Sequence, residues 1–118
     1  MGISSDVIRG YNDTMILCIL IKGPSYGYEI SKEIRRLTDE KYIIKETTLY
    51  SAFTRMEKNG YVQSYVVEAE GTASGKRRTY YRITPQGEQY YREKCEEWTL
   101  TKEVVEKFIG REDHGDNS

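Results

Sequence analysis

A predicted helix in the middle of the chain carries polar side chains that could bond DNA. Apolar residues recur within residues 46–59 at spacings of 3 and 4 and form one face: Leu49, Ala52, Phe53 and Met56. The other face carries Thr47, Ser51, Thr54 and Lys58. Short hydroxyl side chains allow close approach to a groove and can bond phosphates or base edges. An ordinary solvated helix face is the competing interpretation, and this helix alone does not decide between the two.

Three neighbouring residues complete the DNA-contacting set predicted for this helix. We expect Tyr50 and Arg55 to reach the phosphate backbone, and Thr48 is included because it lies beside the polar face. The start of the helix is ambiguous, since Lys45 is a poor N-cap and either threonine after Glu46 could cap it instead. Gly60 is expected to end the helix in a left-handed conformation.

A predicted β-hairpin with a basic loop follows this helix directly. Residues 61–68 and 78–83 are rich in Tyr, Val, Thr and Ile, which strands favour. The loop between them, residues 69–77, contains two glycines and ends with Lys76 and Arg77, and Arg78 follows. Three adjacent cations are well placed to straddle a phosphate backbone, although such a run alone is more often a solvated loop. A polar-faced helix followed by a basic hairpin predicts an α+β fold, the winged helix-turn-helix.

The preceding segments predict the helices that hold this unit. A first helix is expected over residues 6–22, apolar on most sides, with Gly23 and Pro24 ending it. Ser25 is expected to cap a second helix over residues 26–37, where the Tyr26 hydroxyl could bond a phosphate at the helix N-terminus. Residues 42–44 are expected to add a short strand to the hairpin.

The C-terminal part of the chain predicts a long helix that pairs with a second copy. Thr84 caps it, Pro85 occupies its first turn, and the periodicity continues to about residue 109. Successive steps of 4, 3, 4, 3 and 4 residues form a heptad seam: Tyr91, Cys95, Trp98, Lys102, Val105 and Ile109. A helix of ~25 residues is about 38 Å long, more than a small domain can cover, so a two-fold homodimer is expected. The predicted organisation is therefore 1–84 DNA-binding domain, 85–109 dimerisation helix and 110–118 disordered tail.

Composition fits a small cytoplasmic DNA-binding protein. The formal net charge is −1, yet residues 1–92 hold 14 basic and 11 acidic residues, whereas residues 93–118 hold 4 and 8. The acidic charge is thus concentrated away from the expected reading surface, and a local basic patch suffices to engage phosphates. Cys18 and Cys95 are not arranged as a CxxC pair, which favours free thiols in a reducing compartment. The apolar run at residues 15–21 is too short to cross a membrane, and the N-terminus has no signal-peptide layout.

Three sequence blocks resemble the PadR transcriptional regulators, and specifically the short members of that family. The blocks are GPSYGYEI at residues 23–30, TLYSAFTRMEKNGYV at residues 48–62 and GKRRTYYRITPQG at residues 75–87. The resemblance implies a dimeric winged-helix repressor whose C-terminal helix pairs with its twin. Its nearest likeness is to multidrug-binding short repressors, which stack flat aromatic ligands between the two copies of a tryptophan at the position of Trp98.

This likeness suggests a ligand site at the centre of the dimer. Thr14 and Cys18 match pocket-lining positions of those relatives, and Cys95 is a small neighbour of Trp98 on the seam. An acidic residue of those relatives is replaced by Lys102, which favours neutral or anionic planar aromatic ligands over cationic ones. Simple packing of Trp98 in the dimer seam is the alternative.

The expected function is therefore that of a dimeric, sequence-specific repressor of double-stranded operator DNA, released by a planar aromatic ligand. A ligand-independent regulator and a winged helix used for protein contacts are the alternatives. We expect no enzymatic activity, no metal and no cofactor, because the sequence has no Gly-rich phosphate loop and no metal-ligand cluster, and its one histidine is His114 near the C-terminus.

Overall fold

The computed structural model describes residues 2–68 and 77–113. Within these ranges the chain forms, in order, α1 (Ser5–Ile8), a 3-10 turn (Arg9–Tyr11), α2 (Asn12–Ile21), β1 (Ser25–Tyr26), α3 (Gly27–Leu37), α4 (Glu46–Lys58), β2 (Val62–Glu68), β3 (Arg77–Ile83) and α5 (Pro85–Asp113). Helices combined with one small antiparallel sheet confirm the predicted α+β class.

The prediction of one N-terminal helix over residues 6–22 is wrong, because a 3-10 turn separates α1 from α2. Ser4 caps α1 by accepting a hydrogen bond from the Val7 N–H at 3.3 Å. Gly10, a weak helix former, lies in the turn. The break lets Asn12 and Asp13, both buried, start α2 with their side chains turned into the protein.

Two predictions about short elements near α3 are also wrong. Ser25 does not cap α3; it belongs to β1, and its hydroxyl donates to Glu29 Oε1 at 2.5 Å. Residues 42–44 form no strand, although Ile44 is buried in the core. The third strand of the sheet is β1 instead, since Ser25 pairs with Tyr81 and Tyr26 with Tyr80.

The sheet has the strand order β1-β3-β2, and both pairs of neighbouring strands are antiparallel. β2 begins at Val62, one residue later than predicted, and β3 begins at Arg77, one residue earlier. Strand side chains alternate between two faces. On the inner face Tyr81 stacks on Phe53 of α4, with ring centroids 3.8 Å apart. On the outer face Tyr80 lies between Tyr26 and Tyr65.

The hydrophobic core lies where α2, α3 and α4 meet the inner face of the sheet. Its buried residues are Ile16, Leu17, Leu20, Ile30, Ile34, Ile44, Leu49, Ala52, Phe53, Met56, Val62 and Tyr81. All four apolar residues predicted for the inner face of α4 belong to this cluster, so the orientation of that helix follows from its sequence pattern.

The predicted start of the C-terminal helix is confirmed, but its predicted end is wrong. The Thr84 hydroxyl accepts a hydrogen bond from the Gly87 N–H at 3.0 Å and donates to the Gly60 carbonyl at 2.5 Å. Gly60 has the predicted left-handed φ of 81°. α5 runs to Asp113, so residues 110–113 of the expected disordered tail are helical, and residues 114–118 lie outside the described ranges. No helix in those ranges is long and apolar enough to span a bilayer.

Candidate nucleic-acid interface

The outer face of α4 presents the predicted polar side chains to solvent. Thr47, Ser51, Thr54 and Lys58 are exposed, and Thr48 is half-buried beside them. The Thr54 hydroxyl donates to the Tyr50 carbonyl at 3.0 Å, which leaves its oxygen free only to accept. Neither threonine caps the helix: its N-cap is Lys45, which makes no side-chain capping bond. First-turn amides without a capping acceptor favour an anion such as a phosphate.

A shallow depression of about 320 Å³ lies at the start of this face. Its lining combines hydroxyl, amide and guanidinium groups from three elements: Arg9, Asn12, Thr47, Thr48, Ser51, Ala52 and Arg55. Arg9 comes from the 3-10 turn and is paired with Asp6 at 3.2 Å in an exposed position. Arg9 was not predicted from the sequence, because its approach to α4 depends on the 3-10 turn that interrupts the N-terminal helix.

Arg55 is held by a carboxylate that the sequence analysis did not single out. Its Nη1 and Nη2 donate to the two oxygens of Asp13 at 2.6 Å and 2.8 Å. The hydrogen bond to Asp13 raises the pKa of Arg55 above its usual value. The Asp13 side chain is only 7 % exposed, whereas that of Arg55 is 52 % exposed. The guanidinium therefore has one side in the protein and one side toward the depression.

The two predicted tyrosines lie against neighbouring elements while keeping part of their surface exposed. The Tyr50 ring meets Phe53 edge-on, and its hydroxyl lies over Gly27 at the start of α3. A Cβ at Gly27 would be 2.4 Å from the Tyr50 oxygen, so this approach requires glycine. Tyr26 is covered by the Arg78 guanidinium, 4.5 Å from the ring centroid. Such cation–π contact fixes Arg78 on the outer face of the sheet.

The predicted basic wing is described only in part. Lys76 lies outside the described residues. Arg77 begins β3 opposite Glu68 at the end of β2, and its Nη2 is 3.7 Å from Glu68 Oε1. Their side chains are 70 % and 73 % exposed, so the pair is weak and leaves Arg77 accessible to a phosphate.

The predicted ligand residues lie along the contact between α2 and α5. Trp98 is 47 % exposed, and its ring meets Tyr11 edge-on with centroids 5.2 Å apart. Cys18 and Cys95 are free, half-buried thiols that share one neighbour, the Tyr91 hydroxyl. Hydrogen bonds to the two thiols, followed by burial, raise the pKa of Tyr91. Both thiols therefore lie on the side of Tyr91, Cys18 on α2 and Cys95 on α5.

Two other predicted ligand residues extend from this contact. Thr14 is half-buried one turn before Cys18 on α2, and Lys102 is exposed one turn after Trp98 on α5. Their positions follow from the helical spacing along α2 and α5.

The C-terminal half of α5 exposes an apolar surface. Its large exposed side chains are Trp98, Leu100, Val104, Val105, Phe108 and Ile109. The predicted seam is divided, because Tyr91 and Cys95 pack within the chain while Val105 and Ile109 are open to solvent. A second apolar stripe, which was not predicted, recurs every fourth residue along α5 and consists of Leu100, Val104 and Phe108.

The core of three helices, the polar-faced helix α4 and the antiparallel hairpin define a winged helix-turn-helix protein. Comparison with known proteins assigns the family: the chain belongs to the transcriptional regulator PadR-like family, whose sequence profile matches residues 16–93. Its members are DNA-binding transcriptional regulators rather than enzymes. The predicted family and the predicted absence of enzymatic activity are thereby confirmed.

Relatives of known structure or sequence extend this assignment over most of the chain. A transcriptional regulator from Clostridium thermocellum is 68 % identical, with 91 % of this chain and 98 % of that chain covered and a TM-score of 0.81. A PadR family transcription regulator from Clostridium difficile is 37 % identical, with 84 % and 98 % covered and a TM-score of 0.70. An uncharacterized protein from Lysinibacillus sphaericus is 40 % identical over 107 residues, 91 % of this chain and 95 % of that protein.

Proposed function

We propose that this protein is a dimeric repressor that reads a pseudo-palindromic operator through α4. The observation that carries the proposal is the exposed row of short polar side chains on α4, beside a depression with two arginines. Thr47, Ser51 and Thr54 are short enough for the helix to enter the major groove, and Lys58 follows on the same face. Tyr26, Tyr50, Lys76 and Arg77 are assigned to the flanking phosphates.

Formation of a two-fold dimer would bury the exposed apolar surface of the C-terminal half of α5. Contiguous exposed apolar surface of this kind marks a contact site, and a second copy offers the same surface in return. Such a dimer presents two equal α4 helices, so we expect half-sites about one helical turn apart. A DNA-bound role places the protein in the cytoplasm, where two free thiols are stable.

A planar aromatic ligand is proposed to bind between the two copies of Trp98. The half-exposed ring offers a stacking surface, while Thr14, Cys18 and Cys95 are half-buried on α2 and α5 and Lys102 is exposed one turn after Trp98. The positive charge of Lys102 favours neutral or anionic ligands. Ligand binding would alter the spacing of the two α4 helices and weaken operator binding.

A regulator without a ligand is the second candidate, favoured by the contact between Trp98 and Tyr11. Because Trp98 is the only tryptophan, its fluorescence separates the two candidates. In a panel of cationic, neutral and anionic planar aromatics, the neutral and anionic compounds should quench the emission at micromolar concentrations, corresponding to about −8 kcal/mol, and should lower operator affinity. Absence of quenching across the panel would favour the ligand-independent regulator.

The DNA-binding function itself is tested by selection from random duplex DNA at low salt, followed by a gel shift with the enriched sequence. We expect a palindromic consensus and binding that weakens steeply with salt, as for roughly 6–10 phosphate contacts per dimer. A winged helix used only for protein contacts would enrich no sequence.

A further inference from the structure

One buried carboxylate joins three helices of different function. Asp13 of α2 accepts two hydrogen bonds from Arg55 of α4, and its Oδ2 also accepts one from the Tyr90 hydroxyl of α5 at 3.0 Å. Both carboxylate oxygens are therefore used. Since Asp13 is buried, loss of either partner would leave acceptor capacity unpaired inside the protein. The three side chains, which we call the Asp13 cluster, fix one another's orientation.

The α5 member of the cluster is itself held firmly. The Tyr90 ring stacks on Tyr61, with centroids 4.1 Å apart and planes 8° from parallel. Tyr61 directly precedes β2, and its carbonyl accepts a hydrogen bond from the Thr84 N–H at 3.0 Å. Lys94 Nζ lies 5.6 Å from the centroid of the Tyr90 ring. Tyr90 therefore moves with the first turns of α5 and with the base of the wing.

The α4 member of the cluster faces the candidate DNA surface. Arg55 lines the depression with Thr48 and Ser51. A guanidinium has five N–H donors in a rigid plane, and the two contacts with Asp13 engage one on each terminal nitrogen. Because Asp13 fixes the plane of the guanidinium, it also fixes the direction of the remaining N–H donors of Arg55. The carboxylate therefore determines where Arg55 can bind a phosphate.

We propose that Asp13 is a positioning residue for DNA recognition, which holds Arg55 of the recognition helix at a fixed angle to Tyr90 of the dimerisation helix. The inference rests on the proposed function, in that it assumes that α4 reads DNA and that α5 pairs two copies. It adds a physical connection between them, because a shift of α5 reaches α4 through Tyr90 and Asp13. Asp13 and Tyr90 need not touch DNA for this role.

The chain offers a matched pair of conservative variants. Tyr90→Phe removes the hydroxyl that binds Asp13, and Tyr42→Phe removes a hydroxyl that donates to the adjacent Asn12 at 2.7 Å. Both tyrosines are half-buried, and both hydroxyls bond the first turn of α2. Only Tyr90 belongs to the Asp13 cluster. Each full-length dimer is compared with wild type at a temperature where all three are folded.

Two measurements are made on these proteins. The first is binding to the duplex that wild type selects from random DNA, for which Tyr90→Phe should bind roughly threefold to tenfold more weakly and Tyr42→Phe about equally well. The second needs no DNA: amide hydrogen exchange of residues 46–58 should be roughly threefold to tenfold faster in Tyr90→Phe than in Tyr42→Phe. Arg55→Lys keeps the positive charge but loses the bidentate geometry. In an Arg55→Lys background, Tyr90→Phe should therefore lower operator affinity little further.

The outcomes separate the inference from the function on which it rests. Equal operator affinities for Tyr90→Phe and Tyr42→Phe, or equal exchange of α4, would overturn the positioning role while wild type still selects its duplex. Failure of wild type to select any sequence would overturn the proposed function, and the positioning role with it. A purely structural role for the cluster predicts that both variants lose thermal stability and neither loses operator affinity.

Discussion

The outer face of α4 and the outer face of the C-terminal half of α5 are both open to solvent, but their chemistry is opposite. The outer face of α4 carries hydroxyls and cations, with the exposed Glu46 and Glu57 beside them, and the opposite face of the helix is buried. On α5 they are Leu, Val, Phe, Ile and Trp. The first surface suits a hydrated, charged partner, and the second suits a partner that removes it from water. Changes on the α4 face should therefore leave dimerisation intact, whereas loss of the α5 contact should also weaken operator binding, because it separates the two α4 helices.

The largest expected effect follows from placing a charge on the apolar face of α5. Val105→Asp would bury an unpaired carboxylate in the proposed dimer contact and should weaken dimerisation at least 100-fold, or about 3 kcal/mol. Sedimentation equilibrium over a concentration series measures this. Thr99→Asp, at an exposed position outside the seam and outside the second apolar stripe, is the control and should remain dimeric. A Val105→Asp protein that stays dimeric would show that α5 pairs through another face.

The next largest effect is expected at the wing. Replacing Lys76 and Arg77 by Ala should lower affinity for all DNA sequences roughly 10- to 100-fold at low salt and flatten the log–log salt slope by roughly 2 to 4. Glu68→Gln is the opposite control, because it removes the carboxylate that faces Arg77 and should strengthen binding. Gel shifts across a salt series distinguish these results. An unchanged salt slope in the double variant would show that the wing does not contact phosphates.

A smaller and more selective effect is expected on α4. Thr47→Ala and Ser51→Ala should each reduce discrimination at one base position by about 1–3 kcal/mol, while dimerisation is unaffected. Stability should change by less than ~0.5 kcal/mol, because both side chains are exposed. Competition between the selected duplex and its single-base variants measures the discrimination. Equal losses for every sequence would mean that these hydroxyls bind phosphate only.

The smallest effect concerns alkaline pH. Burial and then the charge of Asp13 raise the pKa of Tyr90 to about 12, above the ordinary value of about 10. A folded-state pKa above the unfolded value stabilises the fold fully below pH ~10, and this contribution is lost as pH rises from ~10 to ~12. The stability advantage of wild type over Tyr90→Phe in urea unfolding should shrink across that window. An advantage that stays constant would place the Tyr90 pKa near its ordinary value.

The parts of the molecule with a strong local pattern were predictable from the sequence. The buried stripe of α4 is set by residues spaced 3 and 4 apart, and the cap of α5 by Thr84 followed by Pro85, so neither depends on distant contacts. The polar face of α4 was predictable for the same reason, since it is what remains when the apolar stripe is turned inward.

The features that escaped prediction depend on residues far apart in the chain. The pair between Asp13 and Arg55 spans 42 positions, and the bond between Asp13 and Tyr90 spans 77. β1 is a strand only because β3 lies beside it, since two residues carry no periodicity of their own. The break at the 3-10 turn similarly accompanies the inward bonds of Asn12 and Asp13, which a helical pattern does not reveal.

The outer face of α4 also bears on how such a protein could change its target over time. Within the described residues, Thr47 and Ser51 form no side-chain hydrogen bond to the rest of the chain, whereas Arg55 beside them is fixed by Asp13. New side chains at the first two positions would disturb neither the core nor the Asp13 cluster. Duplicated copies of such a gene could therefore acquire new operators by a few substitutions at these exposed positions, with the docking angle of the helix inherited unchanged.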